Sequence, residues 1–164
     1  MPTQFQYTQT FPSDPERTFH MFADTAYIEA KCAATGSSRT TADVVTDPDG
    51  SVTITSTRVL PADVPAVAKS FVGETIEVTE VQSWSAPDAD GTRTATVRVS
   101  FSGPLSFQGT MALQAQGGGT TVRTDGSFKA KVPFVGGQIE EVAASQTERY
   151  LRAEESIGAT WSSG

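Results

Sequence analysis

Residues 137–161 read GQIEEVAASQTERYLRAEESIGATW, a stretch without proline. Apolar side chains recur in and just before it at spacings of three and four, which is the pattern of one helix face. The members of this stripe are Val135, Ile139, Val142, Ala143, Gln146, Tyr150, Ala153 and Ile157. A helix of roughly 25 residues spans about 35 Å, the width of a small domain. The stretch therefore predicts one long C-terminal helix with an apolar face to cover.

The chain before this helix is patterned for strands. It holds 23 threonines and 15 valines against 4 leucines, and β-branched residues favour pleated sheet over helix. Alternation predicts seven strands, at about residues 4–11, 38–46, 51–60, 75–85, 92–102, 105–115 and 120–132. Two short helices are predicted after the first strand, one with Ser13 as N-cap and Glu16 as its capping-box partner, the other at about 26–35.

This order predicts an α+β fold with a curved antiparallel sheet of about seven strands wrapped around the long helix. A sheet with one apolar face must cover that face. The long helix is the large element available for this purpose. We expect residues 1–164 to form a single domain, because the length matches one and no long linker interrupts it.

Four local motifs carry a resemblance to a known superfamily: residues 13–16 (SDPE), 60–65 (LPADVP), the strand 75–84 and residues 131–140 (KVPFVGGQIE). In this order they resemble the helix-grip fold of the START and polyketide-cyclase-like (SRPBCC) superfamily, which includes the birch-pollen-allergen-like proteins. They look closer still to an uncharacterised actinobacterial family within it. The resemblance implies a hydrophobic cavity between sheet and helix. It implies no particular activity, because the superfamily includes lipid carriers, hormone receptors and cyclases.

Charge and composition exclude several classes of partner. With 12 basic and 19 acidic residues the formal net charge is −7, which disfavours nucleic acid and anionic membrane surfaces. No apolar run reaches the ~20 residues of a membrane span, and no early stretch has the pattern of a signal peptide. The cytoplasm is therefore the expected location, without integral membrane association.

Isolated residues that could take part in catalysis or metal binding are better explained by a structural role. His20 is the one histidine and Cys32 the one cysteine; we expect a surface or helix-packing role for the first and a buried apolar role for the second. The turns 47–50 and 88–91 both contain Asp-x-Asp-Gly, but the first and twelfth positions of a calcium loop hold no acid. We therefore expect hairpin turns, and neither metal nor cofactor.

Polar residues that fall on the same strand face as apolar residues are a more informative signal. The face of Val52 and Ile54 continues to Arg58, and the face of Ile76 and Val78 continues through Glu80 and Gln82 to Trp84. If the pleat is unbroken, Arg58, Glu80 and Gln82 point towards the cavity; a bulge or a wet sheet end would turn them to solvent. The same reasoning gives the candidate lining residues Tyr7, Arg58, Phe71, Glu80, Gln82, Trp84, Phe101, Phe107, Met111, Phe128 and Tyr150.

Three functions remain open at this point. The leading one is non-covalent binding of a small hydrophobic ligand, of lipid, polyketide or isoprenoid type. A cyclase or dehydratase using Arg58, Glu80 or Tyr7 is the second, and a protein-interaction module with a filled core is the third. Under the first hypothesis, segment 62–73, with Val67 and Phe71 one helical turn apart, is predicted to cover a mouth of the cavity and to move when ligand enters.

Overall fold

The computed structural model describes residues 2–61 and 73–161. In chain order the elements are β1 (Thr3–Phe11), α1 (Pro15–Phe22), α2 (Thr25–Ala34), β2 (Arg39–Thr46), β3 (Val52–Pro61), β4 (Thr75–Trp84), β5 (Arg93–Phe101), β6 (Leu105–Gln116), β7 (Gly119–Ala130) and α3 (Gly136–Ala159). The α+β class and the element order expected from the sequence are confirmed. Phe71 and nearly all of segment 62–73 lie outside the described residues, so their predicted role stays a prediction.

The seven strands form one antiparallel sheet in the order β1-β7-β6-β5-β4-β3-β2. The first strand therefore pairs with the last, from Thr3 opposite Phe128 to Phe11 opposite Thr120. Gly109 and Gly126 face each other across β6 and β7. A Cβ on Gly126 would lie 2.4 Å from the Phe107 ring, so the absent side chain lets this ring lie against the sheet.

Helix α1 begins one residue later than the sequence pattern suggested. Asp14, not Ser13, is its N-cap, and the Asp14 carboxylate accepts a hydrogen bond from the Arg17 amide at 2.8 Å. The physical reason is Pro15, whose fixed φ and missing N–H suit the first helical position and so place the cap on the preceding residue. The Ser13 carbonyl instead accepts from the Thr120 hydroxyl at 2.7 Å.

Helix α3 covers the inner face of the sheet. Ile139 near its start is buried, and Gly158 near its end lies against the Phe11 ring of β1. The rest of the predicted stripe is less buried than expected: Val142, Ala143 and Tyr150 are half-buried. These three side chains border a space of about 50 Å³ between helix and sheet, and Ala143 and Tyr150 also pack against the core.

The two acidic turns are hairpin turns, as expected. In the first, Ser51 donates from its amide and its hydroxyl to the Asp49 carboxylate. In the second, the Thr92 amide donates to the carboxylates of Asp88 and Asp90. The carboxylates thus order their own turns. Across residues 2–61 and 73–161, no three His, Cys, Asp or Glu side chains are grouped to hold a metal ion.

Candidate functional site

An apolar chamber of about 70 Å³ lies between the inner face of the sheet and α3. Strands β5, β6 and β7 supply one wall, and Thr147, Tyr150 and Leu151 of α3 supply the other. Inward alternation along the strands places the aromatic and aliphatic side chains there. The wall from the sheet consists mainly of Val97, Val99, Phe101, Phe107, Met111 and Phe128.

Four of these wall residues were expected from the sequence to line a cavity: Phe101, Phe107, Met111 and Phe128. Phe107 stacks on Phe128 with ring centroids 4.7 Å apart, and Phe5 meets both rings edge-on. Such aromatic contacts add to the apolar burial and fix the shape of the wall. The sheet side of the chamber is therefore rigid and apolar.

The chamber ends on charged residues of β3 and β4. The two strands pair without a bulge from Val52 opposite Trp84 to Pro61 opposite Thr75, so the alternation of buried faces is unbroken. Arg58 and Glu80 accordingly point inward, and Arg58 Nη1 lies 3.6 Å from Glu80 Oε1. The interpretation that a bulge turns them outward is wrong. Both border the apolar chamber and a second, polar chamber of about 20 Å³.

A relay of hydrogen bonds along β4 orients the Glu80 carboxylate. The Gln82 amide donates to Glu80, and the Trp84 indole donates to Gln82 Oε1 at 2.9 Å. Trp84 is buried behind them, edge-on to Phe19 of α1 at 5.3 Å between ring centroids. Gln82 borders both chambers, whereas Trp84 supports it from the core.

A second ion pair, not expected from the sequence, closes the polar chamber. Lys31 of α2 donates to Glu154 Oε1 of α3 at 2.8 Å, and both side chains are largely buried. The Lys31 ammonium also lies 5.4 Å from the centroid of the Tyr27 ring. A sequence signal for Glu154 existed: it comes four residues after Tyr150 and three before Ile157, in phase with the apolar stripe.

Neighbouring charges in the polar chamber hold Glu80 and Lys31 in their ionised forms. Burial alone raises the pKa of Glu80, but the charges of Arg58 and Lys31 and the bond from Gln82 outweigh it and hold this pKa below its usual value. Burial alone lowers the pKa of Lys31, but Glu154 outweighs it and leaves this pKa raised. Burial raises the pKa of the nearby Cys32 thiol, which therefore stays protonated near neutrality, as its predicted apolar role requires.

Two polar groups that border the apolar chamber, Arg58 and Thr124, have more hydrogen-bonding capacity than their contacts among the described residues use. In the described part of the chain, Glu80 is the acceptor group that the Arg58 guanidinium contacts, although a guanidinium carries five N–H donors. The Thr124 hydroxyl, on the β7 wall of the apolar chamber, has no partner among the described residues. Unpaired buried groups of this kind are costly unless water or a ligand satisfies them.

The remaining candidates are placed as follows. Tyr150 borders both chambers. Tyr7 lies on edge strand β1, half-buried, and its hydroxyl donates to Glu155 of α3 at 3.0 Å. It thus ties α3 to the sheet. His20 is exposed on a wide groove along α1, where the nearby Arg93 guanidinium covers the Phe19 ring at 3.8 Å.

A curved seven-stranded antiparallel sheet over a long C-terminal helix, with a cavity between them, defines the helix-grip class. The chain is similar to the crystal structure of the Zhui aromatase/cyclase from Streptomyces sp. R1128, with a TM-score of 0.63 and 10% identity over 96% of this chain and 94% of that one. It is also similar to a START superfamily protein from Mycobacterium smegmatis, with a TM-score of 0.57 and 13% identity over 93% and 94%. The START and polyketide-cyclase-like fold expected from the sequence is confirmed.

Within this class the chain belongs to DUF2505, a family described as a protein of unknown function, whose model matches residues 6–161. A relative is the uncharacterized protein Rv0481c of Mycobacterium tuberculosis, 20% identical over 98% of this chain and 97% of that protein. These matches confirm the expected actinobacterial family. No helix within the described residues is long and apolar enough to cross a membrane.

Proposed function

We propose that the protein binds a small hydrophobic molecule, of lipid, polyketide or isoprenoid type, between the sheet and α3. The observation that carries this proposal is an apolar chamber that ends on Arg58, a largely buried cation whose contact among the described residues is the Glu80 carboxylate. Ligand sites typically combine apolar walls with a few orienting polar groups. Phe107, Phe128 and Met111 would contact the apolar body of the ligand, and Arg58 would orient its polar end. We expect the protein to act in the cytoplasm.

Size determines how such a ligand enters. The chambers measure about 70 and 20 Å³, against roughly 300–1,000 Å³ for a small-molecule site. They hold only a few waters in this closed form, at ~10–15 Å³ for each. Binding therefore requires the space between the sheet and the side chains of Thr147, Tyr150 and Leu151 to widen.

The Arg58–Glu80 pair also favours a second candidate, a cyclase or dehydratase, because it directs ionised groups into an apolar space. In this reading Glu80 would orient substrate or stabilise positive charge. It is a poor general acid, because Arg58 and Lys31 hold its pKa below the usual value. Non-covalent binding requires no proton donor and is therefore preferred.

The proposal is tested by titration with N-phenyl-1-naphthylamine, an uncharged dye that fluoresces in apolar surroundings. We expect one saturable site that is lost when Val99→Phe fills the apolar chamber. The matched control is Val45→Phe, the same change at a side chain that is 50% exposed. Absence of a saturable site in the unmodified protein, or equal binding by the two variants, contradicts the proposal and favours the filled-core interaction module.

A further inference from the structure

The polar chamber is electrically balanced among the described residues. Its titratable and charged neighbours are Lys31 and Cys32 of α2, Arg58 of β3, Glu80 of β4, and Tyr150 and Glu154 of α3. Two cations thus face two carboxylates, in pairs separated by 2.8 and 3.6 Å. A further charge brought into this space would be buried without a counter-ion, which is unfavourable.

We propose that the cavity selects uncharged amphipathic molecules whose head carries a hydrogen-bond acceptor, such as an alcohol, ketone or ester, and that it discriminates against acids and amines. This inference rests on the proposed function. A guanidinium has five N–H donors, so Arg58 can donate to a neutral oxygen as well as contact Glu80, and the balance of charge stays unchanged. A carboxylate at the same place lies beside Glu80, and an ammonium lies beside Arg58 and Lys31.

The geometry of the Arg58–Glu80 pair supports this selection. At 3.6 Å the contact is longer than an ordinary charge-assisted hydrogen bond of about 2.7–2.9 Å. Glu80 is fixed by Gln82 and Trp84, so it does not leave to make room for an anion. The Thr124 hydroxyl, which has no partner among the described residues, is uncharged and can also donate to a neutral oxygen.

The test is displacement of bound N-phenyl-1-naphthylamine near neutral pH by three molecules with the same chain: dodecan-1-ol, dodecanoate and dodecylammonium. Dodecanol is expected to displace the dye at concentrations at least about tenfold lower than either ion, a difference of about 1.4 kcal/mol. Equal or stronger displacement by dodecanoate overturns the inference and indicates an anion site. Equal displacement by all three also overturns the inference, because the polar chamber then does not distinguish the head groups.

Variants that change the charge balance sharpen the test. Glu80→Gln leaves one cation in excess. The concentration of dodecanoate that displaces the dye should therefore fall at least about tenfold relative to that of dodecanol. Arg58→Gln leaves one carboxylate in excess, so the concentration of dodecylammonium that displaces the dye should fall instead. Glu77→Gln, on the same strand but exposed, is the control and should change neither ratio. Ratios unchanged in both interior variants contradict the inference.

Two further measurements keep the outcome unambiguous. If Glu80→Gln fails to fold, Glu154→Gln makes the same change of net charge from α3 and carries the same expectation. Dye binding separates the two proposals. Saturable dye binding with a different order of displacement overturns only the proposed selectivity for uncharged head groups. Absence of saturable dye binding overturns both the proposed function and this inference.

Discussion

The ionisation of Glu80 makes the stability of the fold depend on pH. The Glu80 carboxylate has a pKa of about 4.3 in an unfolded chain, and Arg58, Lys31 and Gln82 overcome burial to hold it lower in the folded protein. Below the unfolded pKa, the unfolded state therefore binds more protons than the folded state. The stabilisation from Glu80 is fully present above that pKa and is lost as the pH falls through the folded value.

We predict that Glu80→Gln flattens the loss of stability in acid. The variant is less stable than the unmodified protein near neutrality, because Arg58 keeps its buried charge without a partner, but it declines less between about pH 5 and pH 3. Urea denaturation across this range measures both effects. Glu77→Gln, at an exposed position of β4, should keep the slope of the unmodified protein. An unchanged slope in Glu80→Gln would show that other carboxylates control acid stability.

The residues of the cavity differ in how far sequence reveals them. Arg58, Glu80 and Gln82 follow from strand alternation, because a two-residue period fixes which face each side chain joins. Lys31 and Glu154 form their ion pair between two helices, and their contact depends on how α2 and α3 lie against each other. Their sequence positions show only that each lies on the apolar side of its own helix.

At the scale of elements, α3 is fastened to edge strand β1 at both ends. Near its start, Glu140 accepts from the Thr3 hydroxyl at 2.8 Å and from the Ala130 amide of β7 at 2.9 Å. Near its end, Glu155 accepts from the Tyr7 hydroxyl and the Thr10 amide. The helix thus also occupies part of an otherwise open sheet edge.

Close packing at Gly158 completes this attachment, and we predict that Gly158→Ala destabilises the protein by about 1–3 kcal/mol. The added Cβ would lie 2.5 Å from the Phe11 ring and 3.1 Å from Met21 Cε. Gly137→Ala, on the same helix with open space around it, is the matched control and should be neutral or stabilising by up to about 1 kcal/mol. Denaturant midpoints compare the two; equal midpoints would mean that α3 can shift away from β1 without cost.

Element boundaries were predictable to within about two residues, because turns and periodicity coincide along the chain. The N-cap of α1 was not predictable, since Ser13 and Asp14 are both good N-caps and only the position of Pro15 distinguishes them. The extent of burial under α3 was not predictable either. Periodicity shows that Val142 and Tyr150 face inward, but it does not show whether they meet packed side chains or a chamber.

At the scale of the whole molecule, the sheet depends on α3 to cover its inner face. We predict that a chain without residues 138–164 aggregates and loses its cooperative thermal transition. It would expose the cluster of Phe5, Phe107 and Phe128, and fully burying one such side chain contributes about 1.5–3 kcal/mol. Circular dichroism melting with light scattering measures this. A soluble truncated chain with a sharp transition would show that the sheet is stable without its helix.

The pairing of β1 with β7 has a consequence for how the protein is made. Thr3 pairs with Phe128 and Phe11 with Thr120, so a ribosome adds roughly a hundred residues before the first strand meets β7, its neighbour in the described sheet. At ~5–20 residues per second this takes on the order of 5–20 s. During that time Phe5, Tyr7 and Phe11 have no sheet partner. The nascent chain therefore exposes the aromatic side chains of β1 until β7 has been made, and the earliest strand of the sheet is the last to find its partner.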